Sequence, residues 1–159
     1  MNKIKKKEIV LILENIRSAE NVGSIFRTAD AAGVSWIFLV GYTPDPIDRF
    51  GKPQKSLVKA SLGAEKSVPW LHSKSTSQLI EKLRQEGYEI VSLEQSTSSI
   101  VYTKYRPKKC ALIVGNEVDG VSKKTLMHSD VVIEIPMKGI KESLNVSVAT
   151  GIALFQMMK

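Results

Sequence analysis

Two short polar stretches of this 159-residue chain sit beside strongly apolar neighbours. They are "GNEVDG" at 115–120 and "KESLNVS" at 141–147. The first follows the run "CALIV" and sets Glu117 and Asp119 just after Gly115, a residue without a side chain that lets backbone approach a ligand. Taken alone it also fits a simple turn. In the second, Ser143, Asn145 and Ser147 alternate with Leu144, Val146 and Val148. That alternation mimics a strand, but "VATGIALFQMM" behind it reads as a helix. The whole is better read as a loop turning into a helix, whose spare N–H donors favour polar residues at its start.

Arg27 is the third candidate. Placing "ENVGSIFRTADAAG" at 100° per residue puts Val22, Ile25, Phe26 and Ala29 on one face and Ser24, Arg27 and Ala31 on the other. An outward Arg is suited to phosphate through its rigid donor fork, and equally fits a solvated surface residue. Other chemistries find little support. The single Cys110 lies in an apolar run and reads as a small buried hydrophobe, so disulfides and cysteine zinc sites are excluded. His72 and His128 stand far apart without ligand spacing and read as surface residues, leaving no metal site and no Ser/His/Asp triad. Neither GxGxxG nor GxxxxGK[ST] is present.

The elements that must position these residues follow from apolar patterning. Runs rich in Val and Ile recur at 8–13, 36–41, 88–94, 110–115 and 131–136, continuous rather than alternating, as in parallel strands buried on both faces. Helical patterns lie between them. The first closes at Gly33, the second, "STSQLIEKLRQEGY", opens on a Ser75/Gln78 capping box and stops at Gly87, and a short third starts at Ser122. The fold class is therefore α/β with an open, mostly parallel sheet flanked by helices. "GYTPDPIDRFGKPQ" reads as a long surface loop. Ligands of such sheets bind beyond the carboxyl ends of strands. Those ends are Asn15–Arg17, Gly41, Leu93–Gln95, the Gly115 loop and "PMKG" after Ile135.

At 43% hydrophobic and 25% charged, the chain reads as one globular domain spanning 1–159, cytoplasmic, without a membrane span or signal peptide. The net charge of +7 fits either a solvated surface or a polyanionic partner, and lysines cluster in "NKIKKK", "RFGKPQKSLVK", "KYRPKK" and "KGIK". From Asn145 onward the C-terminal helix is apolar around its whole circumference and must be covered all round, by its own chain or by a second subunit.

Three segments in order, "NIRSAENVGSIFRTADAAG", "ALIVGNEVDGVS" and "IEIPMKGIKESLNVSVATGIAL", resemble the motifs of the SpoU (TrmH-type) RNA 2′-O-ribose methyltransferases of the SPOUT class. "KASLGAE" resembles the segment between the first two, so the likeness spans nearly the whole chain. It implies S-adenosylmethionine as methyl donor, an RNA ribose as acceptor, and a homodimer in which one subunit completes the other's site. It also implies a deep C-terminal trefoil knot, which general topology rules would not anticipate. Carried over by position, cofactor contacts fall at Leu93, Gly115, Ile135 and Leu144. The motif residues nearest the chemistry are Arg27, Asn145, Ser143 and Glu117, with Asn21 and Arg27 facing RNA. The short "MNKIKKK" lead, with no added RNA-binding domain, favours tRNA over rRNA as acceptor. Two other classes compete: a non-catalytic RNA-binding or assembly factor of the same fold, and a small-molecule α/β enzyme, which the basic charge disfavours.

Overall fold

The computed structural model describes residues 7–159. The lysine-rich lead therefore lies outside the described residues except for Lys7, whose Nζ donates to Met157 O at 2.9 Å. All five expected strands form, as β1 (Glu8–Glu14), β2 (Trp36–Val40), β4 (Glu89–Leu93), β6 (Lys109–Val114) and β7 (Val131–Glu134). Two short ones complete the sheet: β3 (Trp70–Ser73) and β5 (Ile100–Val101). The seven strands run in the order β3-β2-β1-β6-β4-β7-β5 and every pairing is parallel. β6 inserts between β1 and β4, and β7 between β4 and β5, so both late strands lie between strands made earlier.

Continuous apolar runs are explained by burial on both faces. Ile9, Leu11 and Leu13 join one core, whereas Val10 and Ile12 join the other. The first core packs under α1 (Ala19–Ala32), α2 (Lys55–Ser61), α3 (Ala64–Ser67) and α6 (Val146–Met157); the second lies under α4 (Thr76–Gln85) and α5 (Lys123–Met127). Cys110 is fully buried in the first core. Burial, reinforced by Glu89 nearby, pushes its thiol up to about 12, as an inert hydrophobe requires.

The expected helix signals act as capping groups. The Ser75 side chain accepts from Gln78 N, Ser122 from Thr125 N, and Gly33 closes α1. Val146–Met157 form a helix capped by Asn145 rather than a strand. The described residues do not cover that helix all round: Thr150, Ala153, Leu154 and Met157 are buried, but Val148, Ile152 and Phe155 face solvent, Phe155 by 51%. Among the described residues no helix is long and apolar enough to cross a membrane.

Candidate functional site

The carboxyl ends of β4, β6 and β7 open onto one cleft of about 450 Å³. Its walls come from residues 93–95, 114–120, 134, 135, 137, 143–146 and 149. The four positions carried over as cofactor contacts, Leu93, Gly115, Ile135 and Leu144, all line it, and so do Glu117, Ser143 and Asn145. Asn21 and Arg27 do not. Arg27 is exposed on α1, on the outward face expected for it.

Glu94 and Asn116, both missed in the sequence, build the loop from 115 to 120. Asn116 and Gly120 exchange backbone hydrogen bonds at 3.1 and 2.9 Å, closing a tight turn. Asn116 is buried and uses both ends of its amide. Its Oδ1 accepts from Val118 N and Asp119 N, and its Nδ2 donates to Asn15 O and Tyr42 Oη. Glu94 accepts from Val121 N at 3.0 Å and from Gln95 N at 2.9 Å, binding the loop to the end of β4. Asn116 lies within the "GNEVDG" stretch, but a buried Asn whose partners include Asn15, a hundred residues away, leaves no periodic signal.

Gly115 also meets a constraint inside the loop itself. A Cβ there would fall 2.3 Å from Val121 N and 2.4 Å from Gly120 C. The glycine is required by the loop's own backbone folding back on it, before any ligand is considered.

Glu117 joins this loop to the start of α1. Its carboxylate accepts from Arg17 N at 3.0 Å, Ser18 N at 3.2 Å and Asn21 Nδ2 at 3.1 Å. Partial burial pushes its carboxyl up, but these backbone and side-chain donors outweigh it and hold the group below the usual carboxylate range. Asn21 Oδ1 in turn accepts from Asn145 Nδ2 at 3.1 Å. The Asn21 amide is therefore engaged at both ends, between Glu117 and Asn145. Asn145 caps α6, accepting from Ser147 N at 2.9 Å and Val148 N at 3.4 Å. Ser143 is exposed on the loop before that cap.

His72 is not a plain surface residue. Its Nδ1 lies 2.6 Å from Asp45 and its Nε2 3.1 Å from Gly41 O, so it clamps the loop after β2. His128 is exposed. Among the described residues no group of three or more His, Cys, Asp or Glu could hold a metal ion.

Residues 8–155 match the SpoU rRNA Methylase family. The chain belongs to this family. The SpoU chain is 34% identical over 153 residues to the 23S rRNA (guanosine-2′-O-)-methyltransferase RlmB of Salmonella typhi, covering 96% of itself and 60% of that relative. It is similar to the AdoMet-bound rRNA methyltransferase of Sinorhizobium meliloti, with TM-score 0.86 and 32% identity over 96% of this chain and 56% of that one. It also resembles the A. aeolicus TrmH/SpoU tRNA modifying enzyme, with TM-score 0.83 and 30% identity over 96% of this chain and 74% of that one. The chain thus spans about three fifths of the length of the curated relatives it matches.

Proposed function

We propose that this SpoU chain transfers a methyl group from S-adenosylmethionine to a ribose 2′-oxygen of RNA. The observation that carries the reading is the convergence of four distant segments on one cleft, with Asn145 on its wall. The lining fits the donor: Glu94, Glu117, Asp119 and Glu134 suit a cationic sulfonium and ammonium, whereas Leu93, Ile135, Leu144 and Val146 suit a flat adenine. An acidic cleft repels RNA phosphate unless a cation is brought to it, so the target nucleotide needs an added positive group there and the rest of the strand is gathered outside it. The bound donor supplies an electrophilic methyl group.

The chain's residues then have to place a ribose and ease its deprotonation. The 2′-oxygen would give up its proton as it bonds to the methyl carbon and the methyl–sulfur bond breaks to leave a neutral thioether, so charge develops on oxygen and needs an in-line approach with stabilisation. A guanidinium cannot take that proton. Arg27 instead binds the target phosphate and hydroxyl and stabilises the alkoxide, with the phosphate or water accepting the proton. Arg27 lies outside its own protomer's cleft and α6 has an exposed apolar face, which supports a reading in which a second subunit docks on that face and receives Arg27 in its cleft. Ser143 and Asn145 hold ribose or donor by hydrogen bonds. Glu117 and Asn21 are positioning residues for Asn145, Asn21 also bordering the RNA path.

A C-terminal knot is part of the same proposal, and its support is the family likeness over residues 8–155. Transfer RNA is the acceptor we propose, in a cytoplasmic setting, with ribosomal RNA the rival named for the Salmonella relative. A factor that only binds RNA is disfavoured by the intact Glu117–Asn21–Asn145 chain beside the cleft. The test is Arg27→Ala assayed separately for methyl transfer and for donor binding by calorimetry. Lost transfer with intact binding supports the assignment; near-normal transfer removes Arg27 from the mechanism.

A further inference from the structure

The loop after β2 is a built structure. Within residues 46–54, Ile47 and Pro53 form an antiparallel bridge, Asp48 N donates to Lys52 O at 2.7 Å, and Gln54 N donates to Pro46 O at 2.9 Å. Asp48 Oδ1 accepts from Phe50 N at 2.8 Å and Lys52 N at 2.9 Å. This tight hairpin carries Arg49 and Phe50 at its tip. Phe50 is 71% exposed, and the Arg49 guanidinium stacks over its ring at 4.7 Å. Holding a large aromatic in water on a rigid, hydrogen-bonded tip has no folding benefit.

Charge around the tip leans positive. The carboxylates of Asp45 and Asp48 are held in place by His72 and by backbone donors, whereas Arg49, Lys52 and Lys55 enter none of the ion pairs among the described residues. The chain on either side of the hairpin packs against elements that support the site. Before it, Tyr42 Oη accepts from Asn116 Nδ2 at 2.7 Å. At its end α2 presses on α1 at Gly23, where a Cβ would lie 2.2 Å from Leu57 O, two positions from Asn21.

We propose that this hairpin is the grip for the substrate RNA, with an unpaired base stacking on Phe50 and Arg49 while Lys52 and Lys55 hold its phosphates. Single-stranded RNA is held in this way, by aromatic platforms within basic surroundings. The inference rests on the RNA reading above and adds where the strand is caught outside the acidic cleft.

The test is fluorescence anisotropy of the full chain with two labelled probes, an unstructured RNA oligonucleotide and a blunt RNA duplex, alongside calorimetry with S-adenosylmethionine. Phe50→Ala should weaken binding of the unstructured probe about tenfold, as loss of one base stack does. Phe50→Tyr should restore it, the duplex should respond less, and donor binding should stay as in the unsubstituted chain. Equal binding of the unstructured probe by Phe50→Ala and the unsubstituted chain overturns the hairpin assignment but leaves the methyl-transfer reading intact. Unchanged RNA affinity with an altered oligomeric state overturns it in favour of a contact between copies. Failure of the unsubstituted chain to bind either RNA overturns the hairpin and the RNA reading together.

Discussion

Asn145 at the N-cap of α6 and Asn21 on α1 are joined by one hydrogen bond of 3.1 Å, across 124 positions of sequence. The same Asn21 amide donates to Glu117, so the helix cap beside the cleft, the first helix and the loop after β6 share a single polar chain. The three segments that this chain links are the three that resemble the family's motifs.

Asn145 has two duties that substitution can separate. Its Oδ1 caps α6, and its Nδ2 reaches Asn21. Asn145→Ala should cost about 1 kcal/mol of stability through the lost cap and reduce methyl transfer about a hundredfold through misplacement at the site. Asn145→Asp keeps the capping oxygen and removes the donor. Thermal melts of the Asp variant should match the unsubstituted chain while its transfer rate falls like that of Ala; a normal rate would detach the Asn21 link from function.

Glu117 makes stability depend on pH with a defined sign. Its carboxyl is lower in the folded chain than in the unfolded one, so the unfolded state binds more protons in the acid window. The contribution is complete above the unfolded carboxylate value of roughly 4.3 and is lost as pH falls through the lower folded value. Chemical denaturation from pH 7 to pH 3 should show a shallower acid loss for Glu117→Gln than for the unsubstituted chain. Identical pH profiles would mean that the carboxylate is not held by Arg17, Ser18 and Asn21.

Gly115→Ala would force backbone apart, because the new Cβ meets Val121 N and Gly120 C rather than a flexible side-chain end. Overpacking of this kind costs about 1–3 kcal/mol. Donor affinity measured by calorimetry should drop roughly tenfold, equivalent to about 1.4 kcal/mol, because the loop forms the cleft wall. Wild-type affinity would show that the turn can open without cost to the site.

The exposed side of α6 predicts a dimer. Phe155→Asp changes a residue half open to solvent in the protomer, so folding should survive. Sedimentation should shift from dimer to monomer, and methyl transfer should vanish if Arg27 serves the neighbouring cleft. Mixing this question with Arg27→Ala is avoidable, since Phe155 does not line the cleft. A variant that stays dimeric would move the interface elsewhere.

Much of this was legible in the sequence because its causes are local or periodic. Ile9 to Leu13 read as a doubly buried strand, Ser75 and Ser122 as caps, and Leu93, Gly115 and Ile135 as strand ends where ligands bind. β3 and β5 escaped because an edge strand of four residues and a pair of residues carry too little pattern. α2 escaped because Gln54 offers no side-chain cap. The roles of Asn116, Glu94 and Asn21 depend on partners that periodicity cannot reveal: Glu117 is 96 positions from Asn21 and 100 from Arg17. His72 was underrated for the same reason, its partners Asp45 and Gly41 lying on a loop that reads only as polar and turn-rich.

Methylation of ribose rather than of a base rests on the acceptor atom, which alkali tests directly. RNA incubated with the chain and methyl-labelled S-adenosylmethionine should be hydrolysed in base, which cleaves a linkage only where the adjacent 2′-hydroxyl is free. Label recovered in alkali-resistant dinucleotides, and lost from them with Asn145→Ala or Arg27→Ala, is the predicted result. Label found only in mononucleotides would place the methyl group on a base and contradict ribose methylation.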